Sequence, residues 1–170
     1  MRESKQGETP MKRFIAILVV IVFCVAVAGL AQTQGNPFVG TWKMDPEKSK
    51  ASPNPGPKEE TRVVEMQGDS VKGSYEGTAA DGSRIAYGYT AKYDGKDYPL
   101  TGVGTPDGAD TLALKRIDTN TYEVTAKRAG IVVMTARVVV SQNGKVTTIT
   151  TKGTDVSGKP DSSVRVFHKQ

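Results

Sequence analysis

Apolar and polar residues alternate along this chain with a period of two, in short runs separated by turn-forming residues. Phe38, Gly40, Trp42 and Met44 alternate with Val39, Thr41 and Lys43, which predicts a first strand over 38–44. Asp45, Pro46 and Glu47 can cap a single helical turn through Lys50, and Pro53, Pro55 and Pro57 prevent a second one. Residues 51–58 therefore read as an extended surface connection.

Further β-type runs are predicted at 61–67, 71–77, 84–93, 98–102, 111–117, 121–127, 131–141, 145–152 and 163–169. No amphipathic helix interrupts them. Asp81-Gly82, Asp94-Gly95, Asp107-Gly108, Asn143-Gly144 and Ser157-Gly158 supply the left-handed positions of tight hairpins. None of these pairs sits in an alternating acidic loop closed by a glutamate, so they read as turns and not as calcium ligands. The pattern predicts one all-β domain over 37–170, an antiparallel up-and-down β-barrel of eight to ten strands, with a two-sheet sandwich as the alternative.

The run 84–93 has one aromatic face, with Ile85, Tyr87, Tyr89, Ala91 and Tyr93 opposite Arg84, Ala86, Gly88, Thr90 and Lys92. That face is either a core stripe or the wall of a cavity. Three tyrosines in place of phenylalanines favour the wall, because a dry core would have to satisfy three hydroxyls.

The start of the chain has a different composition. Arg2, Lys5, Lys12 and Arg13 precede an uncharged apolar stretch over 14–31, and Gly29 and Ala31 have the small side chains that a signal peptidase reads. Residues 1–31 are expected to be a signal peptide cleaved after Ala31, followed by a polar lead-in over 32–36. Cleavage delivers the domain to the periplasm or the outside of the cell. The apolar stretch is also about as long as a membrane span, so an uncleaved anchor is the alternative and the only predicted contact with membrane. Met11, followed directly by Lys12 and Arg13, is an alternative initiator.

Cys24 lies inside the apolar stretch and follows Phe23, not the small residue expected before a lipid-attached cysteine. The remaining domain has no thiol and no disulfide. Four of the 23 basic and two of the 18 acidic residues fall in the first 31 positions, leaving a net charge of +3. The basic residues are scattered singly or in pairs such as Lys115-Arg116 and Lys127-Arg128, which argues against nucleic acid as a partner.

Catalytic chemistry has few candidates. The one histidine, His168, lies at the end of the chain, so neither a Ser-His-Asp nor a Cys-His arrangement can be assembled, and no metal site is expected around it. The acidic residues fall mostly in turns and do not form a paired-carboxylate site. The domain reads as a non-enzyme without cofactor, and as a monomer.

The opening Phe38-Val39-Gly40-Thr41-Trp42-Lys43-Met44 resembles the start of the fatty-acid-binding proteins and lipocalins, whose first strand carries Gly-x-Trp. The closing Val164-Arg165-Val166-Phe167-His168-Lys169 resembles the last strand of fatty-acid-binding proteins, commonly Arg-x-Tyr. The segments Tyr93-Asp94-Gly95-Lys96-Asp97-Tyr98-Pro99 and Leu114-Lys115-Arg116-Ile117-Asp118 are similar to those of small exported bacterial lipocalin-like proteins. The resemblance implies a calycin-type barrel binding a small, largely apolar ligand through Arg165, Tyr87, Tyr89, Tyr93 and Phe167. The alternative is an envelope barrel that binds a protein or cell-wall partner through its surface.

Two departures qualify the resemblance. The proline-rich stretch over 46–58 cannot form the helix-turn-helix lid of fatty-acid-binding proteins, and Phe167 lacks the hydroxyl of the usual tyrosine. Trp42 is expected to plug one end of the barrel, with Gly40 leaving room for the indole. Three roles stay open for Arg165: packing over Trp42, holding a ligand carboxylate, or an ordinary surface position.

Overall fold

The computed structural model describes residues 35–155 and 157–170. The expected signal peptide over 1–31 lies outside them. The described chain forms eleven strands: β1 (Gly40–Ser52), β2 (Glu59–Gln67), β3 (Ser70–Thr78), β4 (Arg84–Ala91), β5 (Asp94–Pro99), β6 (Thr101–Val103), β7 (Thr111–Arg116), β8 (Thr121–Arg128), β9 (Ile131–Val140), β10 (Val146–Thr154) and β11 (Pro160–Lys169). The one helical element among them is a single 3-10 turn, η1 (Pro106–Gly108).

All pairings are antiparallel, in the order β5-β7-β8-β9-β10-β11-β1-β2-β3-β4-β6. The last strand closes on the first, with Trp42 opposite Lys169 and Met44 opposite Phe167. One short piece of chain bridges the remaining seam, since β5 pairs with β7 and β6 pairs with β4. The result is a nearly closed antiparallel barrel, as the alternation predicts.

The differences in detail have local causes. Residues 98–102 form parts of two strands, because buried Leu100 donates to the Asp110 carbonyl and turns the chain from β7 towards β4. Asp94-Gly95 is not a hairpin turn: the pairing of β5 with β7 shifts register between Asp94 and Asp97, where the Asp94 carboxylate accepts from the Lys96 amide at 3.0 Å. The first strand begins at Gly40 and not at Phe38, which lies in a turn held by the side chain and carbonyl of Asn36.

No helical turn forms over 45–50. The Asp45 carboxylate accepts from the Glu47 and Lys48 amides, and the Ser49 hydroxyl donates to the Asp45 carbonyl at 2.7 Å. These local bonds build a bulge that shifts the register with β11 and lets β1 continue to Ser52.

Directly opposed residues of an antiparallel pair share a face, so the registers define rows around the wall. One row runs Lys169, Trp42, Arg62, Tyr75, Tyr87 and Gly102 across β11, β1, β2, β3, β4 and β6. A second runs Arg165, Ile149, Val138, Tyr122 and Arg116 from β11 back to β7. Their central members face the interior, where apolar side chains such as Val64, Leu114, Val138 and Phe167 form one continuous core.

Candidate ligand-binding site

One end of the barrel is plugged by a tight aromatic cluster. Trp42 is fully buried and its indole N–H donates to the Phe38 carbonyl at 2.9 Å. Phe38 meets Tyr122 edge to face at 4.6 Å, and Tyr93 lies 5.1 Å from Tyr122. The Arg116 guanidinium covers the rings of Tyr93 at 4.1 Å and Phe38 at 5.0 Å.

The cation over Trp42 is Lys169, whose Nζ is 5.2 Å from the ring, and not Arg165. Register decides this, because Lys169 is directly opposite Trp42. Gly40 likewise leaves room for Lys169: a Cβ there would come within 2.6 Å of the lysine Cε. Tyr93 belongs to this plug, while Phe167 is fully buried opposite Met44.

The middle of the barrel holds a cavity of about 40 Å³. Its walls include Tyr75, Tyr87, Tyr89, Leu112, Leu114, Val138, Ile149 and Arg165. That volume accommodates about three water-sized groups. The interior is therefore close to filled.

Towards the other end lies a cleft of about 170 Å³, framed by Asn54, Pro55, Gly56 and Pro57, by Pro106 and Asp107 of η1, and by Asp161 and Ser163. Cleft and cavity share Tyr87, Pro106, Met134 and Arg165. At their junction the Arg165 guanidinium donates to the Glu60 carboxylate at 2.8 Å. The proline-rich loop and η1 thus face each other across this cleft.

Among the described residues three charged side chains lie largely buried within the wall: Glu60, Arg62 and Arg165. Glu60 and Arg165 neutralise each other. Arg62, 1% exposed, makes no ion pair among the described residues, and its one hydrogen bond there runs to the Tyr122 hydroxyl. Since β2 and β8 are not neighbours in the sheet, that bond crosses the lumen. The Arg62 guanidinium also lies 5.7 Å from the Tyr75 ring, which stacks on Tyr87 at 4.6 Å.

Burial keeps the surrounding phenols protonated. It pushes Tyr75 up to about 12 despite the opposing Arg62 charge, and it holds Tyr87 and Tyr89 well above the ordinary value. Tyr122 is raised for the same reason. Neutral phenols offer Arg62 hydrogen bonding without charge neutralisation. Its Nε and Nη1 have no hydrogen-bond partner among the described residues, and neither do Glu60 Oε1 and Arg165 Nε.

Of the residues expected from sequence to meet a ligand, Arg165, Tyr87 and Tyr89 line the cavity; Tyr93 and Phe167 do not. The sequence reading missed Glu60, Arg62, Tyr75 and Tyr122. A parity signal existed, since Arg62 is in step with Val64, and Tyr75 with Val71. It was weak because Val63 and Val64 place one valine on each face of β2.

No protein-family model matches this chain, and no curated protein matches it. Among solved structures the chain is similar to the ileal bile acid-binding protein of zebrafish, crystallised with cholic acid. That match covers 79% of this chain and 99% of the other, at 11% sequence identity and a TM-score of 0.48.

Proposed function

We propose that this barrel is a non-catalytic binding protein for a small, largely apolar molecule that enters between the proline-rich loop and η1. The carrying observation is a mostly apolar internal cavity that shares the wall residues Tyr87, Pro106, Met134 and Arg165 with an end cleft. An apolar chain gains about 0.8 kcal/mol for each methylene buried, which favours entry into such a space. Because the cavity is small, occupancy requires side chains to move. Met134 suits that role, being unbranched, flexible and placed at the junction.

The same proposal places the barrel outside the cytoplasm, on the basic, apolar and small-residue order of residues 1–31. N-terminal sequencing of the protein from its own cells should give a start near Gln32. A retained Met1 or Met11 on membrane-bound material overturns it.

The binding function is tested by native mass spectrometry of protein purified from its own cells without detergent. An adduct of one small molecule, lost when the protein is denatured, is expected. Adduct-free protein that also fails to bind a panel of apolar probes defeats the reading.

A further inference from the structure

We infer that the end cleft is a site for an organic cation, and that the molecule this barrel takes carries a primary ammonium group on an apolar chain. The inference rests on the reading of the barrel as a small-molecule binder and assigns the head group of that molecule.

Charge balance carries the first step. The charged side chains on the cleft wall are Glu60, Asp107, Asp161 and Arg165, three carboxylates against one guanidinium. Glu60 and Arg165 neutralise each other at 2.8 Å, so Asp107 and Asp161 are the surplus. Neither is in an ion pair among the described residues. Arg128 donates to the Asp107 backbone carbonyl at 3.2 Å and does not line the cleft. Burial raises the Asp107 carboxyl above its ordinary value, and the negative charges of Asp161 and Asp155 add to the rise. A cation set among these carboxylates relieves their repulsion.

Unpaired acceptors carry the second step. Glu60 is 2% exposed, and its Oε1 has no hydrogen-bond partner among the described residues. Asp161 Oδ1, on the same cleft wall, is also shut off from solvent and also lacks a partner. Both atoms are acceptors, so the group that completes them must donate. A protonated primary amine brings a positive charge and three donors together, whereas a quaternary ammonium brings charge alone.

The rest of the wall carries the third. Among the described residues no three metal-ligating side chains converge closely enough to hold a metal ion. Pro55, Pro57, Ile85 and Met134 lie on the same wall as the carboxylates, and Met134 also lines the internal cavity. An alkylamine covers the apolar and the acidic parts of this surface at once.

The experiment titrates hexylammonium, hexanol, hexanoate and hexyltrimethylammonium by calorimetry into the protein purified from its own cells without detergent. The same titrations are made on Asp107→Asn, Asp161→Asn and Asp69→Asn. Asp69 pairs with Lys92 beyond the end of β2 remote from Glu60, so its variant makes the same change in net charge away from the cleft. Hexylammonium is expected to bind at one site about tenfold more tightly than hexanol or hexyltrimethylammonium, with hexanoate the weakest. Asp107→Asn and Asp161→Asn should each lower its affinity about tenfold and leave hexanol unchanged. Asp69→Asn should alter neither.

Hexanol or hexanoate binding as tightly as hexylammonium overturns the head-group assignment and leaves the binding function standing. Hexyltrimethylammonium matching hexylammonium overturns the primary ammonium, since the donors would then contribute nothing. Undiminished affinity in both cleft variants, or an equal loss in all three, overturns the placement in the cleft. Should a cleft variant fail to fold, the wild-type ranking of the hexyl compounds decides. If none of those compounds binds, the binding function falls and the head-group assignment falls with it.

Discussion

The Arg165 guanidinium and the Glu60 carboxylate meet at 2.8 Å with 13% and 1% of their side chains exposed. A pair this buried is costly to break from one side, because the remaining charge is stranded. Glu60→Leu is expected to lower unfolding stability by about 3 kcal/mol. Glu60→Leu combined with Arg165→Met should recover most of that loss. Denaturant midpoints at an unchanged slope measure both. A neutral Glu60→Leu variant would show that Arg165 finds solvent through the cleft.

Lys169 over Trp42 gives an optical prediction, since Trp42 is the single tryptophan. Lys169→Ala removes the cation and the aliphatic stem that cover the indole, at a cost of about 1 kcal/mol. Its fluorescence should shift to the red. Arg165→Ala should leave the emission unchanged, and the opposite ranking would restore Arg165 as the residue packed on Trp42.

Burial of the phenols sets the alkaline limit of stability. All six tyrosines are raised, and among them the four buried phenols, Tyr75, pushed up to about 12, with Tyr87, Tyr89 and Tyr122, are shut in by the fold and resist ionisation in the folded state. Below a pH of about 10 both states hold their protons and the contribution is intact. Above it the unfolded phenols ionise first, so stability falls as pH rises towards 12. Ultraviolet titration should show these four ionising together with unfolding. Independent, reversible ionisation of all six near their ordinary value would contradict the buried row.

Gly102 and Gly40 separate two kinds of close approach. Gly102 has a φ of 114°, and a Cβ there would lie 2.1 Å from the Ala86 carbonyl oxygen, which is backbone and cannot yield. Gly102→Ala is expected to cost about 3 kcal/mol and to release the amides shared by β4 and β6 to hydrogen exchange. At Gly40 the obstacle is the movable end of Lys169, so Gly40→Ala should cost less. Equal losses at the two sites would mean that the φ value alone sets the cost.

The barrel was legible because strands such as β2, β3, β4 and β9 carry a period-two pattern between turn residues, and that pattern depends only on which face is wet. The row Ile85, Tyr87, Tyr89 and Ala91 faces inward as its alternation requires. What alternation could not show is which side chains meet across the lumen. Arg62 reaches Tyr122 from a non-adjacent strand, and Glu60 reaches Arg165 past β1. Both contacts arise from barrel closure and shear, which fix relative heights that no local window of sequence contains. The bulge at Asp45 was misread for a related reason: the same capping bonds serve a helical turn and an irregular strand, and the pairing with β11 decides between them.

Met134 offers the most direct control of the binding space. It is buried, lines both the cavity and the cleft, and sits beside the register shift of β8 against β9 at Ala126 and Lys127. Met134→Ala should enlarge the cavity and open it to the cleft, at a stability cost of about 2 to 5 kcal/mol. Affinity for a small apolar probe should nevertheless rise, because the space that a ligand must create is already made. Met134→Phe should act in the other direction, overfilling the junction at about 1 to 3 kcal/mol and weakening the probe. Fluorescent-probe titrations alongside denaturant curves give affinity and stability from the same samples. If both variants lose stability while probe affinity stays constant, the probe binds elsewhere on the barrel, and Met134 belongs to the core alone.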